Sequence, residues 1–216
     1  WNILEACRNT KGIRAVIIAS SDKAYGSHRV LPYTEKTPLK GAHPYDVSKS
    51  CADLLADTYA HTYKLPVAVT RCGNIYGPGD FNFSRLVPDA VRCALKGKKL
   101  LIRSDGKFTR DYVFVGDIVN GYLILAEKLQ KLKLSGEAFN FSDENPLTVI
   151  ELVNTVFKLV NDKPNYKILD KVKYEIKYQY LASGKARKML GWKPLFNLKA
   201  GLKKTIAAYQ EYFRIA

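Results

Sequence analysis

The run Ala15-Val16-Ile17-Ile18-Ala19 is short, apolar and β-branched, and the polar run Ser20-Ser21-Asp22-Lys23 follows it directly. A short continuous apolar run is typical of a parallel strand that is buried on both faces. Open α/β sheets bind their ligands just beyond the carboxyl ends of such strands. The sequence therefore predicts an α/β fold in which a polar ligand site begins at Ser20.

A second polar cluster lies in Pro44-Tyr45-Asp46-Val47-Ser48-Lys49, at the start of a helix predicted from about His43 to Lys64. Tyr45 and Lys49 are one helical turn apart, so they share a face of that helix. A neighbouring ammonium favours the phenolate form of a tyrosine, which makes Tyr45 a candidate base for a substrate hydroxyl. A Tyr/Lys pair alone is usually a solvated helix edge, so this interpretation depends on the nearby strand-end cluster.

The spacing of apolar residues predicts a parallel-sheet region followed by a mixed region. We expect a first helix over Trp1–Arg8, a second strand over Leu65–Arg71, and a glycine- and proline-rich loop over Cys72–Asp80. Asp117 and Ser183 are expected to cap the N-termini of two later helices. The other predicted helices span about 84–95, 117–130, 148–160, 183–191 and 198–213, and the other strands about 99–103, 111–115, 137–142 and 174–180.

The net charge of +15 raises the alternative of a nucleic-acid-binding module. Residues 146–216 carry 14 Lys/Arg and 5 Asp/Glu, so +9 of the charge lies there. The lysines are interspersed, as in Lys171-Val172-Lys173-Tyr174-Glu175-Ile176-Lys177-Tyr178, and this alternation predicts a strand with one solvated face. We therefore favour a basic surface that attracts anionic metabolites, and we expect no nucleic-acid partner.

The cysteines and histidines do not form a recognisable ligand set. Cys7, Cys51, Cys72 and Cys93 contain no Cys-x-x-Cys pair, and the three histidines are scattered. We therefore expect reduced cysteines, no metal site and a cytoplasmic protein. No apolar run approaches the roughly 20 residues that span a bilayer, and the first residues lack the pattern of a signal peptide, so no membrane partner is expected.

Together these motifs resemble the extended short-chain dehydrogenase/reductase family, specifically its nucleotide-sugar 4,6-dehydratases. The resemblance covers essentially the whole chain. Lys23 stands where many dTDP-glucose dehydratases have Glu. Lys23 and the run Phe81–Arg85 make the chain most similar to the CDP-glucose 4,6-dehydratase branch. The runs that carry the resemblance are Ser20-Ser21-Asp22-Lys23-Ala24-Tyr25-Gly26, Pro44-Tyr45-Asp46-Val47-Ser48-Lys49, Arg71-Cys72-Gly73-Asn74-Ile75-Tyr76-Gly77-Pro78-Gly79-Asp80-Phe81-Asn82-Phe83-Ser84-Arg85 and Thr109-Arg110-Asp111-Tyr112-Val113.

The resemblance implies a Rossmann domain that holds NAD, covered by a smaller α+β domain that binds the nucleotide-sugar. Residues 1–80 would form the C-terminal part of the Rossmann domain, and residues 81–216 mainly the substrate domain, with some segments returning to the Rossmann sheet. The family's Gly-x-x-Gly-x-x-Gly loop has no counterpart here, so the resemblance implies a C-terminal fragment. Helices 1–8 and 43–64 would form a homodimer interface, although their periodicity fits an internal core helix equally well.

The resemblance also implies catalytic roles. Tyr45 would take the proton of the sugar 4-hydroxyl, assisted by Lys49 and Ser21. Asp22 would be the acid for the hydroxyl that leaves carbon 6, because a carboxylic acid in a closed pocket can keep its proton. Lys23 would be either the base at carbon 5 or an electrostatic stabiliser of the enolate.

Further residues are implied as ligand contacts. An amide and a guanidinium suit an oxygen-rich diphosphate, but Arg110 could instead be a plain surface arginine and Asn140 a buried strand amide. The implied cofactor contacts are Ala19, Ser20, Tyr45, Lys49 and Cys72, and the implied substrate contacts are Asn74, Asn82, Phe83, Arg85, Arg110 and Asn140.

The main alternative is another enzyme of the family, a nucleotide-sugar epimerase or decarboxylase, or a dehydratase for dTDP- or GDP-hexoses.

Overall fold

The computed structural model describes residues 1–172 and 175–215. The α-helices are α1 Asn2–Asn9, α2 Pro44–Tyr63, α3 Leu86–Leu95, α4 Val115–Lys128, α5 Val149–Leu159 and α6 Leu198–Ile215, with a 3₁₀-helix at Asp22–Tyr25 and a π-helix at Ala186–Leu190. The strands are β1 Val16–Ala19, β2 Val67–Cys72, β3 Asn74–Tyr76, β4 Leu100–Ile102, β5 Thr109–Arg110, β6 Tyr112–Phe114, β7 Ala138–Phe141, β8 Leu147–Thr148, β9 Tyr166–Ile168 and β10 Tyr178–Gln179.

The main sheet contains three parallel strands in the order β1-β2-β7. Val16 of β1 pairs with Val67 of β2, and Val69 of β2 pairs with Ala138 of β7. Every residue of β2 is buried, as expected for the central strand of a parallel sheet that is covered on both faces. The predicted α/β fold with a parallel sheet is confirmed.

Helices cover both faces of this sheet. Successive side chains of a strand point to opposite faces, so Val67 and Val69 pack in one cluster with residues of α1 and α2. Ala68 packs in a second cluster, with Phe139 of β7 and residues of α4. The layered arrangement of helices on both faces of a parallel sheet is that of a Rossmann-like fold.

The rest of the chain builds a second core beside this sheet. Helices α3, α5 and α6 pack together around short strand pairs, and their buried side chains form one apolar cluster. The short pairs are β3 with β6 and β4 with β9, both parallel, while β5 lies between β10 and β8. This region supplies the wall that faces the carboxyl ends of β1 and β2.

Three local predictions were wrong. Helix α4 begins at Val115 after Phe114, so Asp117 is not its N-cap; its carboxylate instead accepts hydrogen bonds from the backbone of Leu195 and Phe196. The predicted loop 72–80 contains β3, because its backbone pairs with β6. Ser183 does not cap a helix with its hydroxyl, which bonds to the backbone of Ser142. In each case a distant backbone group outcompetes the local partner.

The basic stretch near the C-terminus also differs from its prediction. The strand predicted over 174–180 is confined to Tyr178–Gln179, while Lys173 and Tyr174 lie outside the described residues. Strand β9, which pairs with β4, was not predicted. A three-residue strand is too short for its alternation to stand out in the sequence.

Helices α1 and α2 pack on one face of the sheet, where Leu4 is buried. Their outer surfaces keep several large apolar side chains exposed, among them Ile3 at 72%, Leu54 at 58% and Tyr63 at 50%.

In the described part of the chain, no helix is both long enough and apolar enough to cross a bilayer.

Candidate active site

A cleft of about 630 Å³ opens at the carboxyl ends of β1 and β2, between the main sheet and the second region. It brings together residues that are far apart in the sequence and that come from both halves of the chain. Those with polar groups are Ser20, Ser21, Asp22, Lys23, Tyr45, Cys72, Asn74, Asp80, Ser84, Arg85, Asp89, Arg103, Ser104, Arg110, Tyr112 and Glu175. The two polar clusters singled out from the sequence thus converge on one cleft, as predicted.

The turn after β1 is held by its own side chains. Ser21 has an extended backbone, and its hydroxyl accepts a hydrogen bond from the Lys23 amide at 3.2 Å, which starts the 3₁₀-helix. The same hydroxyl donates to Asp22 Oδ1 at 2.9 Å. Gly26 ends the helix with φ of +68°, in the left-handed region where a side chain is strained. The Ser-Asp-Lys sequence is therefore fixed at the sheet edge.

Asp22 is 2% exposed, yet it lines the cleft. Its Oδ1 is bonded to Ser21, whereas Oδ2 is buried and has no hydrogen-bond partner among residues 1–172 and 175–215. Leaving a buried carboxylate oxygen unbonded is costly. Such a group is suited to receive a hydrogen bond from a ligand in the cleft.

Tyr45 and Lys49 meet the same sheet edge from α2. Tyr45 lines the cleft with 56% of its surface exposed. The Lys49 ammonium lies 5.8 Å from the centre of the Tyr45 ring and donates to the Ala19 carbonyl at 2.9 Å. The phenol and the ammonium are therefore neighbours directly above the end of β1.

A buried ion pair anchors α2 to the sheet. Arg71 of β2 binds the Asp53 carboxylate of α2 through two hydrogen bonds of 2.8 and 2.7 Å, and both side chains are more than 90% buried. Arg71 also donates to the Tyr25 hydroxyl at 2.9 Å, which ties the 3₁₀-helix into the same network. Asp53 follows Lys49 by one helical turn, so this pair fixes the face of α2 that carries Tyr45 and Lys49.

Lys23 points toward β10, where its ammonium donates to the side-chain oxygen of Gln179. Burial lowers the pKa of Lys23, and the positive charge of Arg110 lowers it further, against the opposing effect of Asp22. A lysine in such a place can lose its proton more easily than an exposed one.

Asp111 lies completely buried behind the cleft. Burial, reinforced by the negative charge of Asp22, raises the pKa of Asp111 to about 7. Its Oδ2 accepts from the Leu181 amide at 3.1 Å, and its Oδ1 touches the position that a Cβ would occupy at Gly73. Glycine is therefore required at residue 73 for this close approach.

The residues predicted as substrate contacts divide into two groups. Asn74 and Arg85 line the cleft, and Arg85 pairs with Asp80 at 3.0 Å while remaining largely exposed. Asn82 and Phe83 are not part of the cleft lining. Asn82 instead caps the turn by bonding Ser84, and Phe83 packs in the second core.

Arg110 and Asn140 are occupied within the protein. The Arg110 guanidinium is buried and donates to the Thr109 and Lys177 carbonyls at 2.8 and 3.0 Å and to the Glu175 carboxylate at 3.2 Å. Although Arg110 lines the cleft, this bonding holds the strand beside it, and a diphosphate contact stays a prediction.

Asn140 is fully buried, bonds Tyr25 and two backbone carbonyls, and does not line the cleft. The structure therefore places the Asn140 amide in a structural role.

Of the implied cofactor contacts, Ser20, Tyr45 and Cys72 line the cleft, whereas Ala19 and Lys49 do not. Ala19 and Cys72 end the neighbouring strands β1 and β2, and Ser20 follows Ala19 directly. The Lys49 ammonium, near the Tyr45 ring, is bonded to the Ala19 carbonyl. Burial raises the pKa of Cys72 to about 12, so its thiol stays protonated and unreactive.

Within residues 1–172 and 175–215, no group of three or more His, Cys, Asp or Glu side chains is placed to hold a metal ion.

Sequence reasoning missed Asp111 and Gln179. Asp111 lies in the quoted run Thr109–Val113, but only its neighbour Arg110 was selected. Gln179 gave no signal, because its contact with Lys23 joins residues 156 positions apart. Its partners could be found only from the fold.

A family profile described as GDP-mannose 4,6 dehydratase matches residues 1–205. The chain is 32% identical over 205 residues to dTDP-glucose 4,6-dehydratase of Neisseria gonorrhoeae, covering 88% of this chain and 58% of that protein. It is 30% identical over 214 residues to a trifunctional UDP-glucose 4,6-dehydratase, epimerase and reductase of Arabidopsis thaliana, covering 97% of this chain and 31% of that protein.

A solved structure is similar over the same length. The crystal structure of dTDP-glucose 4,6-dehydratase from Bacillus anthracis in complex with NAD matches with a TM-score of 0.87 and 31% identity. The match covers 97% of this chain and 65% of that one. The chain thus spans about a third to three fifths of the length of the curated relatives it matches.

Proposed function

Because the chain belongs to the GDP-mannose 4,6 dehydratase family, we propose that it carries the catalytic cleft of an NAD-dependent nucleotide-sugar 4,6-dehydratase. The proposed substrate is CDP-glucose and the product CDP-4-keto-6-deoxyglucose. The observation that carries the proposal is the convergence of Ser21, Asp22, Lys23 and Tyr45 on one cleft. These groups match the two proton-transfer tasks of such a reaction, at the sugar 4-hydroxyl and across carbons 5 and 6.

The strand-end residues fit the nicotinamide end of NAD. The Lys49 ammonium, bonded to the Ala19 carbonyl, keeps further N–H donors for a ribose, and Ser20 and Cys72 border the same edge of the cleft. When bound, NAD would accept a hydride from carbon 4 of the sugar and return one to carbon 6. The chain has no Gly-x-x-Gly-x-x-Gly loop, so these residues account for the nicotinamide end alone.

Oxidation at carbon 4 needs a base at the 4-hydroxyl. The Tyr45 phenol is accessible from the cleft, and the Lys49 ammonium lies 5.8 Å from the centre of its ring. Tyr45 would be the base that takes this proton. The Ser21 hydroxyl lies at the end of the neighbouring strand and would share a hydrogen bond with the same sugar oxygen. Its bond to the Lys23 amide keeps this hydroxyl at the cleft edge.

Loss of water needs an acid at the departing 6-hydroxyl. Asp22 is buried with one oxygen free of partners among the described residues, so the substrate hydroxyl can complete its hydrogen bonding. The ketone at carbon 4 acidifies the hydrogen on carbon 5, which Lys23 could remove when neutral. Alternatively, its ammonium would stabilise the enolate, and both roles use the same position in the cleft.

Substrate recognition is proposed for the outer part of the cleft. Asn74 and Arg110 are proposed to contact the diphosphate, and Arg85 to approach the nucleotide. Cytidine is proposed from the sequence resemblance, chiefly Lys23 and the run Phe81–Arg85. The relatives named above act on dTDP- and UDP-linked sugars, so the nucleobase is the least constrained part of the proposed substrate.

A nucleotide-sugar epimerase is the second candidate, because Tyr45, Lys49 and Ser21 would serve oxidation at carbon 4 equally well. Epimerisation requires no acid for a leaving hydroxyl. The buried Asp22 with its unbonded oxygen therefore favours dehydration.

The whole-protein arrangement is also proposed. Residues 1–80 would be the C-terminal part of the NAD-binding domain, and residues 81–216 mainly the substrate domain. A homodimer would form through α1 and α2, whose exposed Ile3, Leu54 and Tyr63 suit an apolar helix–helix interface.

A nucleotide panel tests the proposed function. The full-length protein that carries this chain is incubated with NAD and, separately, with CDP-, dTDP-, UDP- and GDP-linked hexoses. The 4-keto-6-deoxy product is followed by its absorbance in alkali. We expect product from CDP-glucose. Product from another nucleotide alone would retain the reaction and reject cytidine, while an epimer without keto product would favour the second candidate.

A further inference from the structure

Gln179 is the fully buried residue that links the last strand to the catalytic turn. Its amide nitrogen donates to the Asp22 carbonyl at 2.7 Å, and its amide oxygen accepts from the Lys23 ammonium. Both functional ends of one side chain are therefore bonded to the two residues that the proposed elimination uses. A buried amide with both ends satisfied is fixed in orientation.

Arg110 holds the strand that carries Gln179. In β5, Arg110 pairs in register with Gln179 of β10. Its guanidinium also bonds the Ile176 and Lys177 carbonyls just before that strand. The buried arginine thus clamps the segment so that the Gln179 amide reaches the turn after β1.

We propose that Gln179 is a positioning residue that holds the Lys23 amine in place at the wall of the cleft through a neutral hydrogen bond. A carboxylate in this place would hold the lysine as a fixed ammonium, whereas a carboxamide orients the amine without adding negative charge. This inference deepens the proposed function, since the task of Lys23 comes from that function. The contact itself and its electrostatic effect do not depend on the reaction.

The charges that face Lys23 come from several elements. Asp22 precedes it in the 3₁₀-helix, Asp46 lies on α2, Arg110 on β5, and Glu175 just before β10. Burial and Arg110 lower the pKa of Lys23, and the three carboxylates act in the opposite direction. A charge introduced at residue 179, in direct contact with the ammonium, would outweigh these more distant charges.

The test measures Lys23 protonation without using catalysis. The full-length protein is labelled competitively with acetic anhydride across a pH series, and the Lys23 peptide is quantified by mass spectrometry. Gln179→Glu should raise the labelling midpoint of Lys23 by about one pH unit or more. Gln179→Met, which keeps the length but neither hydrogen bond, should leave the midpoint unchanged or lower it.

Gln130→Glu is the matched control, because Gln130 is exposed and the substitution introduces the same charge away from the cleft. A shift in Gln179→Glu that equals the control, or equal shifts in the Glu and Met variants, would overturn the proposal. Once product formation is established, one limb of the pH profile of kcat should move with the labelling midpoint, with KM little changed. This is the acidic limb if Lys23 acts as a neutral base, and the alkaline limb if its ammonium stabilises the enolate.

The wild-type protein gives a test that does not depend on the variants folding. The side-chain amide ¹⁵N resonance of Gln179 should titrate with the labelling midpoint of Lys23. A flat amide resonance across that midpoint would overturn the proposal. If no nucleotide-sugar is dehydrated but these titrations agree, the proposed function fails and the positioning contact stands.

Discussion

Tyr45 combines exposure with a position beside a lysine, so its hydroxyl can be removed with little effect on folding. Tyr45→Phe should lower kcat by about 10²- to 10⁴-fold, the usual contribution of a general acid–base group. Tyr178→Phe is the matched control, since Tyr178 is 57% exposed, like Tyr45, and does not line the cleft. Steady-state kinetics with both variants measures the difference. Equal activity in the two variants would contradict the role of Tyr45.

Asp22 and Tyr45 act on different bonds in the proposed reaction, so their variants should fail differently. Asp22→Asn keeps the shape of the side chain but cannot supply a proton to the departing hydroxyl. We expect product formation to fall about 100-fold or more while deuterium from solvent still exchanges into carbon 5. Mass spectrometry of the recovered sugar measures both. Full product formation by Asp22→Asn would contradict the acid role.

Asp111 makes stability depend on pH. Burial raises its pKa from 3.8 to about 7, so between these values the folded state keeps a proton that the unfolded state has lost. Stability is therefore fully present at low pH and falls as pH rises through this window, by up to about 1.4 kcal/mol per pH unit. Asp143, with its pKa raised to about 6 by burial, contributes in the same direction at lower pH.

Asp111→Asn should remove most of the fall in stability between pH 6 and 7, because the asparagine side chain does not titrate. The fold should be kept, since the side-chain oxygen can still accept from the Leu181 amide. Urea unfolding at several pH values measures the free energy of unfolding. Asp170→Asn is the control, as Asp170 is exposed with a positive φ that asparagine also tolerates. A wild-type slope in Asp111→Asn would contradict the buried protonated carboxyl.

At the scale of an element, the Arg71–Asp53 pair determines how α2 lies on the sheet. Arg71→Met leaves the buried Asp53 carboxylate without its partner and should cost about 3–5 kcal/mol of unfolding free energy. Arg71→Met combined with Asp53→Leu should recover part of this loss. Chemical denaturation measures the three variants.

Arg187→Met is the matched control for this prediction. Arg187 pairs with Glu144, but both side chains are partly exposed, so its loss should cost at most about 1 kcal/mol. If both arginine variants lose the same stability, burial of the Arg71 pair does not have the importance assigned to it.

At the scale of the whole molecule, the parallel sheet and half of the cleft follow from local patterns. The apolar runs at Val16–Ala19 and Val67–Cys72 predict buried strands, and the spacing of Tyr45 and Lys49 predicts a shared helix face. Each of these signals lies within a few consecutive residues, so no tertiary information is needed to recognise it.

The remaining features depend on long-range competition. Asp117 has the residue type of an N-cap, yet it bonds the backbone of Leu195 and Phe196. Arg110 has the chemistry of a diphosphate ligand, yet its guanidinium holds a neighbouring strand. The pKa of Asp111 arises from burial, which only the assembled fold creates. Local chemistry proposes the partners, and packing selects among them.

The most direct test of the dehydratase proposal follows one atom through the reaction. CDP-glucose carrying deuterium at carbon 4 is incubated with NAD and the full-length protein, and the product is analysed by NMR and mass spectrometry. We expect a 4-keto-6-deoxy sugar with the deuterium transferred to carbon 6. Deuterium found at carbon 4 of an epimerised sugar would contradict dehydration and assign the cleft to epimerisation.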